Sequence, residues 1–352
     1  MENQNHHVVL TSRPGLTGEP VVENFGYESC ETVSPDEVTD ETVLIKTLYL
    51  SVDPALRCQM NESTGVDYLK SWELGQTIVG FGGVGQVIKA GAKTGFSAGD
   101  LVTSGLGWPW KRYSLACYKD LTLISNPVLQ QDPTLVLSCM GLIGLTALLG
   151  LQEKGGIQSG SHQTCAVSGA AGACGSLAGQ IAKLLGCERV VGIAGTPEKC
   201  LTLTSELGFD AAICYKSESV SERLCQLCPD GVSVYFDNVG GDISDAVIEK
   251  MQPGGNIVLC GQISKYNETS EYPPPIPEST KQLLQQKQIK RDRFMVLWYK
   301  EKFDAALNQL GAWLANGQLK VKVTVYEGLE NTGKAFVGMM KGENIGKAIV
   351  KL

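Results

Sequence analysis

Histidine is scarce in this chain, whose 352 residues include only His6, His7 and His162. None of the three stands at a ligand-like spacing from a cysteine, whereas catalytic zinc sites are built from clusters of histidine, cysteine and carboxylate. A single Cys-x-x-Cys pair, Cys225 and Cys228, has no second pair near it, and a structural zinc ion takes four close ligands. The sequence therefore predicts no bound metal.

The chain also lacks a basic excess and a long apolar run. Its formal net charge of −7 gives no general attraction to nucleic acid or to anionic membranes. The most apolar stretch, Leu135 to Leu151, is broken by small and polar residues and is shorter than the roughly 20 residues of a membrane span, so we predict a buried helix there. Residues 1–10 carry no basic segment followed by an apolar one, as a signal peptide would. These features predict a cytoplasmic protein without nucleic-acid or membrane partners.

Cysteine is plentiful but not patterned. The twelve cysteines are scattered through segments that look like strands and helices, as is usual for small buried thiols in a reducing compartment. This distribution favours neither a disulfide framework nor a metal cluster.

The length of the chain suggests two domains, at about 100–200 residues each. Residues 8–130 are rich in β-formers and glycine, which predicts an antiparallel, barrel-like domain whose turns are supplied by Gly82, Gly83, Gly85, Gly91 and Gly99. After Pro133 strands alternate with helices, which predicts a parallel, doubly wound sheet. The tail from Lys302 contains an amphipathic helix and then strands, and we expect it to complete the first domain. The expected division is 1–132 and 301–352 against 133–300, with a cleft between the two domains.

The elements of the second domain can be placed individually. One helix is predicted from Ser176 to Leu185, and another begins near Thr196-Pro197, where threonine is a good N-cap and proline suits the first helical position. The predicted strands are Cys165 to Ser168, Arg189 to Ala194, Ala211 to Tyr215, Val232 to Phe236 and Asn256 to Cys260.

A glycine-rich turn, Gly169-Ala170-Ala171-Gly172-Ala173-Cys174-Gly175, follows the first of these strands and precedes a helix. Glycines at this spacing let backbone N–H groups approach a pyrophosphate at a helix N-terminus. Such glycines also occur where a strand and a helix merely pack closely. The surrounding βα units favour a dinucleotide site.

The end of the second strand distinguishes the two nicotinamide cofactors. An NAD site expects a carboxylate about 20 residues after the turn, to bind the ribose hydroxyls. Here the strand ends in Gly195-Thr196, with Lys199 close behind, so there is space and a cation for a 2′-phosphate. A solvated Lys199 or an inward-pointing Glu198 would weaken this interpretation. The pattern favours NADPH.

Several segments resemble the zinc-independent medium-chain dehydrogenases/reductases: Ser51 to Arg57, Ala170 to Gly175, Phe236 to Gly241 and Asn344 to Lys347. Three more resemble the members of that family that act on 15-oxo-prostaglandins: Met60 to Leu69, Gly261 to Tyr266 and Tyr272 to Pro275. The resemblance implies an α/β protein with a GroES-like, β-rich catalytic domain in two segments and a Rossmann domain with a doubly wound parallel sheet that binds NADPH.

The resemblance also implies site residues. The pyrophosphate would meet Gly172, Ala173, Cys174 and Gly175, and the 2′-phosphate would meet Lys199 and Tyr215. The rest of the cofactor path would be lined by Asn238, Cys260, Gly261, Gln262, Ile263, Ser264, Lys265, Tyr266, Phe294, Met295, Val296 and Asn344. Leu106 and Gly107 would face the substrate. Apart from the resemblance, Tyr68 is a second candidate tyrosine, after Tyr266, and is expected to face the substrate.

Alternatives remain for some of these residues. Asn238 and Asp237 suit an Asx turn, and Phe294 and Met295 suit a core. Two segments on the substrate side, Ala55-Leu56 and Gly105-Leu106-Gly107, depart from the usual family pattern.

The implied reaction is reduction of the carbon–carbon double bond of an enone. Hydride adds to the β-carbon, and the enolate oxygen needs a hydrogen-bond donor. No histidine suits this role, and Tyr266, just after a predicted strand, is the leading candidate for the catalytic donor. A tyrosine packed in an irregular loop is the alternative.

The leading hypothesis is an NADPH-dependent reductase of the 13,14 double bond of 15-oxo-prostaglandins, with a small enone or eicosanoid as its partner. A general alkenal or quinone reductase and a non-catalytic NADPH-binding protein are the alternatives. The sequence leaves monomer and homodimer open.

Overall fold

A computed structural model describes residues 4–65, 69–268 and 273–352. Its internal contacts divide the chain into two compact units, the first formed by Met1–Leu137 with Val323–Leu352 and the second by Ser138–Lys322. The chain therefore leaves the first unit once and returns to it near the C-terminus.

In chain order, the strands are β1 (Asn5–Leu10), β2 (Phe25–Cys30), β3 (Thr42–Ser51), β4 (Val79–Gly80), β5 (Gly83–Ala90), β6 (Leu101–Thr103), β7 (Trp108–Pro109), β8 (Tyr113–Cys117), β9 (Thr122–Leu123), β10 (Thr164–Ser168), β11 (Arg189–Ala194), β12 (Ala211–Cys214), β13 (Val232–Asp237), β14 (Met251–Leu259), β15 (Lys290–Arg293), β16 (Val323–Glu327) and β17 (Lys347–Lys351). The α-helices are α1 (Leu56–Gln59), α2 (Pro127–Gln131), α3 (Leu142–Gly150), α4 (Ala173–Leu185), α5 (Pro197–Ser205), α6 (Val220–Leu227), α7 (Gly241–Lys250), α8 (Glu278–Gln286), α9 (Phe303–Ala315) and α10 (Thr332–Met340).

The first unit is built on a sheet in the order β16-β17-β3-β5-β6-β9, with β8 also paired to β3. Its pairings are antiparallel apart from the parallel pair β16–β17. The core of this unit buries the indole rings of Trp108 and Trp110 together with Phe336. Strand β17 places the C-terminal segment beside β3, in the middle of the sheet.

Two glycines of this unit do not form turns, contrary to the expectation from the sequence. Gly83 and Gly85 lie inside β5, where a β-carbon would fall 2.4 and 2.9 Å from atoms of the Trp108 ring. Glycine is therefore required there because a large aromatic side chain lies directly against the strand.

The second unit contains a sheet in the order β12-β11-β10-β13-β14-β15, and every pairing in it is parallel. Helices α4 to α8 alternate with these strands along the chain. Helices α4 and α5 pack on β10, β11 and β12, and α6, α7 and α8 contribute apolar side chains to the core of this unit, as a buried parallel sheet requires. The doubly wound parallel sheet predicted from the sequence is thus confirmed. The strand order reverses beside β10, where ligands of such folds bind beyond the carboxyl ends of the strands.

Two predicted boundaries differ from the structure. The apolar stretch Leu135 to Leu151 is not one helix, because α3 begins only at Leu142. The chain packs closely at the start of α3, where a β-carbon on Gly144 would lie 1.8 Å from the Cys139 carbonyl oxygen. The second unit also continues to Lys322 rather than ending at residue 300, since α9 packs on α3. In the described part of the chain, no helix is long and apolar enough to cross a membrane.

Candidate functional site

The glycine-rich turn joins β10 to α4 at the carboxyl edge of the parallel sheet. Gly169 has a φ of +56°, a conformation that side chains other than glycine rarely adopt. The Gly172 N–H donates to the Gly169 carbonyl at 3.0 Å, which closes a tight turn. The backbone therefore reverses within four residues and enters the helix directly.

The first turn of α4 presents main-chain N–H groups. Within the described part of the chain, no side chain caps this helix, whose N-cap residue is Gly172. Helix N-termini of this kind attract anions through unpaired N–H groups and the helix dipole. A β-carbon on Gly172 would meet only the Gly169 carbonyl oxygen, at 3.2 Å, so the side of the turn where that β-carbon would project is otherwise open. This cradle fits a pyrophosphate.

Gly175 serves a different purpose from Gly172. A β-carbon at Gly175 would lie 2.4 Å from the Gly169 carbonyl oxygen and 2.8 Å from the Ala170 α-carbon. Both are backbone atoms, which cannot move aside as a flexible side chain can. Gly175 therefore allows the helix to pack against the turn, which is the packing role considered from the sequence, whereas the open side at Gly172 stays the predicted pyrophosphate position.

Asp237, the last residue of β13, organises the neighbouring loop. Its fully buried carboxylate accepts hydrogen bonds from three hydroxyl groups and two main-chain N–H groups. The donors are the side chains of Ser168, Tyr235 and Ser244 and the N–H groups of Val239 and Gly240. The Asx turn considered from the sequence is therefore made by Asp237, and it fixes the loop after β13 to the end of β10.

Asn238 has a separate role in this loop. Its side-chain amide donates to the Ser168 carbonyl at 2.8 Å, and its main-chain N–H donates to the Ser168 hydroxyl at 3.0 Å. Asn238 thus joins the carboxyl ends of β10 and β13, beside the glycine turn. Its partly exposed side chain lies at the edge where the sequence placed the cofactor.

The segment from Cys260 to Tyr266 crosses the same edge after β14. The N–H groups of Cys260 and Gly261 both donate to the Asp237 carbonyl, at 3.0 Å each. The N–H groups of Ile263 and Ser264 donate to the carbonyls of Asn238 and Val239. Lys265 continues the short 3-10 turn and pairs with Glu268 at 2.7 Å. This network holds the segment against the loop after β13.

The Tyr266 hydroxyl folds back towards the end of β14. A β-carbon on Gly261 would lie 3.3 Å from that hydroxyl and 3.5 Å from the Asn238 carbonyl oxygen. Tyr266 is partly buried, and its main-chain N–H closes the 3-10 turn on Ile263. A phenol is therefore held close to the carboxyl edge of the sheet.

At the end of β11 the structure gathers the residues expected at a 2′-phosphate. The ring of Tyr215 lies over Gly195, where a β-carbon would be 3.2 Å from the ring. The Thr196 side chain caps α5 by accepting from the Lys199 N–H at 3.3 Å. The pKa of Lys199 is lowered, first by burial and then by the nearby positive charge of Lys216. The second lysine was missed from the sequence, and its signal was its place directly after Tyr215.

Two cysteines and one glutamine complete this edge. The sulfur atoms of Cys174, in the first turn of α4, and Cys260, after β14, are 4.0 Å apart. The Gln262 side chain is buried, and its carbonyl oxygen has no hydrogen-bond partner among the described residues. The sequence assigned all three to the cofactor, and the structure brings them to one edge of the sheet.

Phe294, Met295 and Val296 directly follow β15. Phe294 and Val296 are buried, and the Phe294 ring stacks on Tyr299 with centroids 5.6 Å apart. The Phe294 N–H donates to the Leu259 carbonyl. Phe294 and Val296 are thus core residues that also lie next to the end of β15. Of the three residues, only Met295 is partly exposed.

The remaining assigned residues belong to the first unit or lie outside the description. The Asn344 side chain is buried and donates to the Gly346 carbonyl at 2.7 Å. Leu106 is 51% exposed, and Gly107 has a φ of +85° in the loop before β7. Tyr68 lies outside the described residues.

In residues 4–65, 69–268 and 273–352, no group of three His, Cys, Asp or Glu side chains could hold a metal ion.

Both units of the chain match known protein families. Residues 173–311 match the family model described as zinc-binding dehydrogenase, and residues 6–124 match the model described as the N-terminal domain of oxidoreductase. NADPH-dependent curcumin reductase of Escherichia coli (strain K12) is 33% identical over 355 residues, which cover 100% of this chain and 98% of that protein. Prostaglandin reductase 1 of Mus musculus is 38% identical over 347 residues, covering 97% and 98% of the two chains.

A solved structure resembles the chain over the same length. The crystal structure of CurA from Vibrio vulnificus in complex with NADPH superposes with a TM-score of 0.88 at 34% identity, covering 98% of both chains. Identity above 30% over the full length of such relatives shows common descent of both units together. The chain belongs to the zinc-independent medium-chain dehydrogenase/reductase family.

Proposed function

We propose that this chain is an NADPH-dependent enone reductase whose substrates are 15-oxo-prostaglandins, reduced at the 13,14 double bond. In this proposal it is a 15-oxoprostaglandin 13-reductase of the prostaglandin reductase 2 type. The observation that carries the proposal is the phenol of Tyr266 next to Gly261, at the same sheet edge as an uncapped, glycine-lined helix N-terminus. Relatives named for prostaglandin and curcumin reduction support the substrate class.

The choice of NADPH rests on the end of β11. A carboxylate that would accept from the ribose hydroxyls of NAD is absent from Gly195-Thr196, and such a carboxylate would also repel a 2′-phosphate. Instead Lys199 and Lys216 provide two positive charges close to each other, next to the Tyr215 ring. The pKa of Lys199 is lowered first by burial and then by the positive charge of Lys216, and a phosphate bound beside Lys199 would favour its charged form against both effects.

When bound, NADPH supplies hydride to the β-carbon of the enone. Gly172 to Gly175 would hold its pyrophosphate, and Asn238 and the segment from Cys260 to Tyr266 would line the path towards the nicotinamide. The Tyr266 hydroxyl donates a hydrogen bond to the carbonyl oxygen of the substrate as negative charge develops there. Addition of a proton to the α-carbon completes the reduction. On the substrate side, Leu106 contributes an exposed apolar side chain and Gly107 a loop position with a left-handed backbone.

One assay separates the candidate functions. Purified protein is mixed with NADPH and, in parallel, with a 15-oxo-prostaglandin, a short alkenal and a quinone, and the loss of NADPH absorbance is followed. We expect the highest kcat/KM with the 15-oxo-prostaglandin, with the 13,14-dihydro product identified by mass spectrometry. A higher kcat/KM with the alkenal or the quinone would replace the substrate proposed here, and NADPH binding without oxidation would indicate a non-catalytic protein.

Replacing Tyr266 by phenylalanine tests the hydrogen-bond donor. Because the developing enolate loses its donor, Tyr266→Phe should lower kcat with the enone by roughly 10²-fold, while the midpoint of thermal unfolding changes little. The matched control is Tyr299→Phe, which keeps the ring stacked on Phe294 and also loses one hydroxyl. Equal kcat values for wild type and Tyr266→Phe would remove Tyr266 from the mechanism.

Replacing Lys199 by alanine tests the choice of cofactor. A charge-assisted hydrogen bond contributes about 1.5–3 kcal/mol, so Lys199→Ala should raise the KM for NADPH by roughly 10–100-fold. The KM for NADH serves as the internal control and should not change, because NADH has no 2′-phosphate. Lys216→Ala should shift the same ratio in the same direction. An unchanged NADPH-to-NADH preference in both variants contradicts the assignment.

A further inference from the structure

Two cysteines that are far apart in the sequence meet at the glycine-rich turn. Cys174 is the second residue of α4 and Cys260 is the first residue after β14. Their sulfur atoms are 4.0 Å apart, and one thiol donates to the other. The Cys174 sulfur also lies 4.0 Å from the Ile143 carbonyl oxygen. None of the twelve cysteines of the chain forms a disulfide in this structure.

This pair differs in exposure from the pair formed by Cys165 and Cys187. Cys165 and Cys187 also share a hydrogen bond, but both are buried, with 0% and 4% of their surface exposed. Cys174 and Cys260 are each partly exposed. Cys174 and Cys260 therefore lie nearer the protein surface than Cys165 and Cys187, which are enclosed by the strands and helices of the unit.

We infer that Cys174 and Cys260 form a redox-sensitive dithiol, which a peroxide closes into a disulfide that weakens NADPH binding. The effect on NADPH rests on the proposed function, whereas the disulfide itself does not. The two sulfur atoms are neighbours in the folded protein, so the disulfide requires no third side chain.

The reaction is balanced with hydrogen peroxide as the oxidant. One cysteine attacks an oxygen of the peroxide, the O–O bond breaks, and a sulfenic acid and water result. The second thiol then attacks the sulfenic sulfur, so that the S–S bond forms and the S–O bond breaks with release of another water. Two thiols lose their protons and two electrons, and one peroxide is reduced to two waters.

Closing the bond changes the geometry of the proposed pyrophosphate site. A disulfide needs an S–S distance of about 2.05 Å, so the sulfur atoms must approach each other by roughly 2 Å. Cys260 is held by its N–H bond to the Asp237 carbonyl at 3.0 Å, and Cys174 is held by the helix. The shift therefore strains the start of the segment after β14 and the first turn of α4, and the N–H groups of that first turn are the proposed phosphate donors.

The environment of Cys174 disfavours its thiolate form. Its pKa is raised well above the ordinary value for a thiol, first by the hydrogen bond to Cys260 and then by desolvation. Because the thiolate is the nucleophile, little of it is present near neutral pH. Oxidation should therefore need a molar excess of peroxide, as expected for a response to oxidative stress rather than for a constitutive disulfide.

The test uses the full-length reduced protein, with and without peroxide. Intact-mass measurement and peptide mapping should show the loss of two hydrogen atoms and a peptide that links Cys174 to Cys260. The dissociation constant for NADPH, measured by fluorescence titration, should rise by at least about tenfold, equivalent to 1.4 kcal/mol, and dithiothreitol should restore it. Prior saturation with NADPH should slow formation of the linked peptide.

Variants make the result specific. In Cys174→Ser and Cys260→Ser, peroxide should leave the dissociation constant at the value each variant has when reduced. Cys225→Ser, which removes an exposed cysteine elsewhere, should respond to peroxide as the wild type does.

The outcomes distinguish the dithiol from the proposed function. Absence of the linked peptide, or a linked protein that binds NADPH as tightly as the reduced one, overturns the dithiol inference. A reduced protein that does not bind NADPH overturns the proposed function, and peptide mapping then still decides whether the disulfide forms.

Discussion

At the scale of single residues, Asp237 holds the loops of the site together. Its buried carboxylate accepts from Ser168, Tyr235 and Ser244 and from two main-chain N–H groups of the following loop. Burial of a charge is costly unless hydrogen bonds replace its hydration, and here five donors do so. The carboxylate therefore fixes the distance between the glycine turn and the loop after β13.

Replacing Asp237 by asparagine should lower both stability and cofactor affinity. The amide loses the negative charge and one acceptor, so Asp237→Asn should lower the free energy of unfolding by about 2 kcal/mol, measured by urea denaturation. NADPH should also bind more weakly, because the loop that carries Asn238 is no longer fixed. Tyr235→Phe removes one of the same hydrogen bonds and should cost about 1 kcal/mol. An Asp237→Asn protein as stable as Tyr235→Phe would show that the network is not organised by the carboxylate.

Residue identity alone indicated some residues of the site but not what each of them contacts. The chain order shows that Lys199 follows the second strand of the Rossmann unit, and this was enough to favour a 2′-phosphate. Lys216 was not identified, because its proximity to Lys199 arises only when β11 and β12 pair side by side. Asn238 stays a predicted cofactor residue, and the structure adds that its amide joins β10 to β13.

At the scale of elements, the turn between β10 and α4 contains two glycines required for different reasons. Gly172 has an extended backbone and an open side, whereas Gly175 lies against the backbone of the turn. Only the three-dimensional path of the loop distinguishes them, because both occupy glycine positions of the same sequence motif.

Alanine at the two positions should therefore have different effects. Gly172→Ala should leave the free energy of unfolding within about 1 kcal/mol of the wild type, yet abolish measurable NADPH binding because its β-carbon enters the phosphate cradle. Gly175→Ala should destabilise the protein by about 1–3 kcal/mol through overpacking. Urea denaturation and an NADPH titration on both variants check this. Equal losses of stability in the two proteins would contradict the separation of roles.

The apolar stretch after residue 134 illustrates a limit at the same scale. Its hydrophobicity predicted one buried helix. In the structure a 3-10 helix ends at Leu137 and α3 begins at Leu142, and the boundary between the two units follows Leu137. Apolar composition does not distinguish one buried helix from two shorter segments in different cores, because both need the same residues.

At the scale of the whole molecule, a buried ion pair joins the returning C-terminal segment to the first part of its unit. Lys347, on β17, donates to the Asp53 carboxylate at 2.9 Å and also to the Val52 carbonyl. The Lys347 side chain is 2% exposed. The pair thus joins the C-terminal segment to residues next to β3, nearly three hundred residues earlier in the chain.

Breaking this pair should destabilise the first unit strongly. Lys347→Met leaves the Asp53 carboxylate buried without its partner, so the free energy of unfolding should fall by about 3–5 kcal/mol. The matched control is Lys351→Met on the same strand, since its ion pair with Glu327 is exposed to solvent and should contribute at most about 1 kcal/mol. Urea denaturation of the two variants measures the difference, and similar losses would show that the buried pair does not stabilise the fold.

By itself the sequence determined the parallel βα unit, the position of the glycine turn and the lack of a carboxylate at the end of β11, because these depend on short-range periodicity and on single residue types. Only the tertiary structure decided which residues meet across strands: the carboxylate of Asp237 among its donors, Lys216 beside Lys199, Cys174 against Cys260, and Lys347 with Asp53. Each of these contacts depends on the order and register of strands that are distant in the chain. Strand register is set by the packing of a whole sheet, which local patterns of residues do not specify.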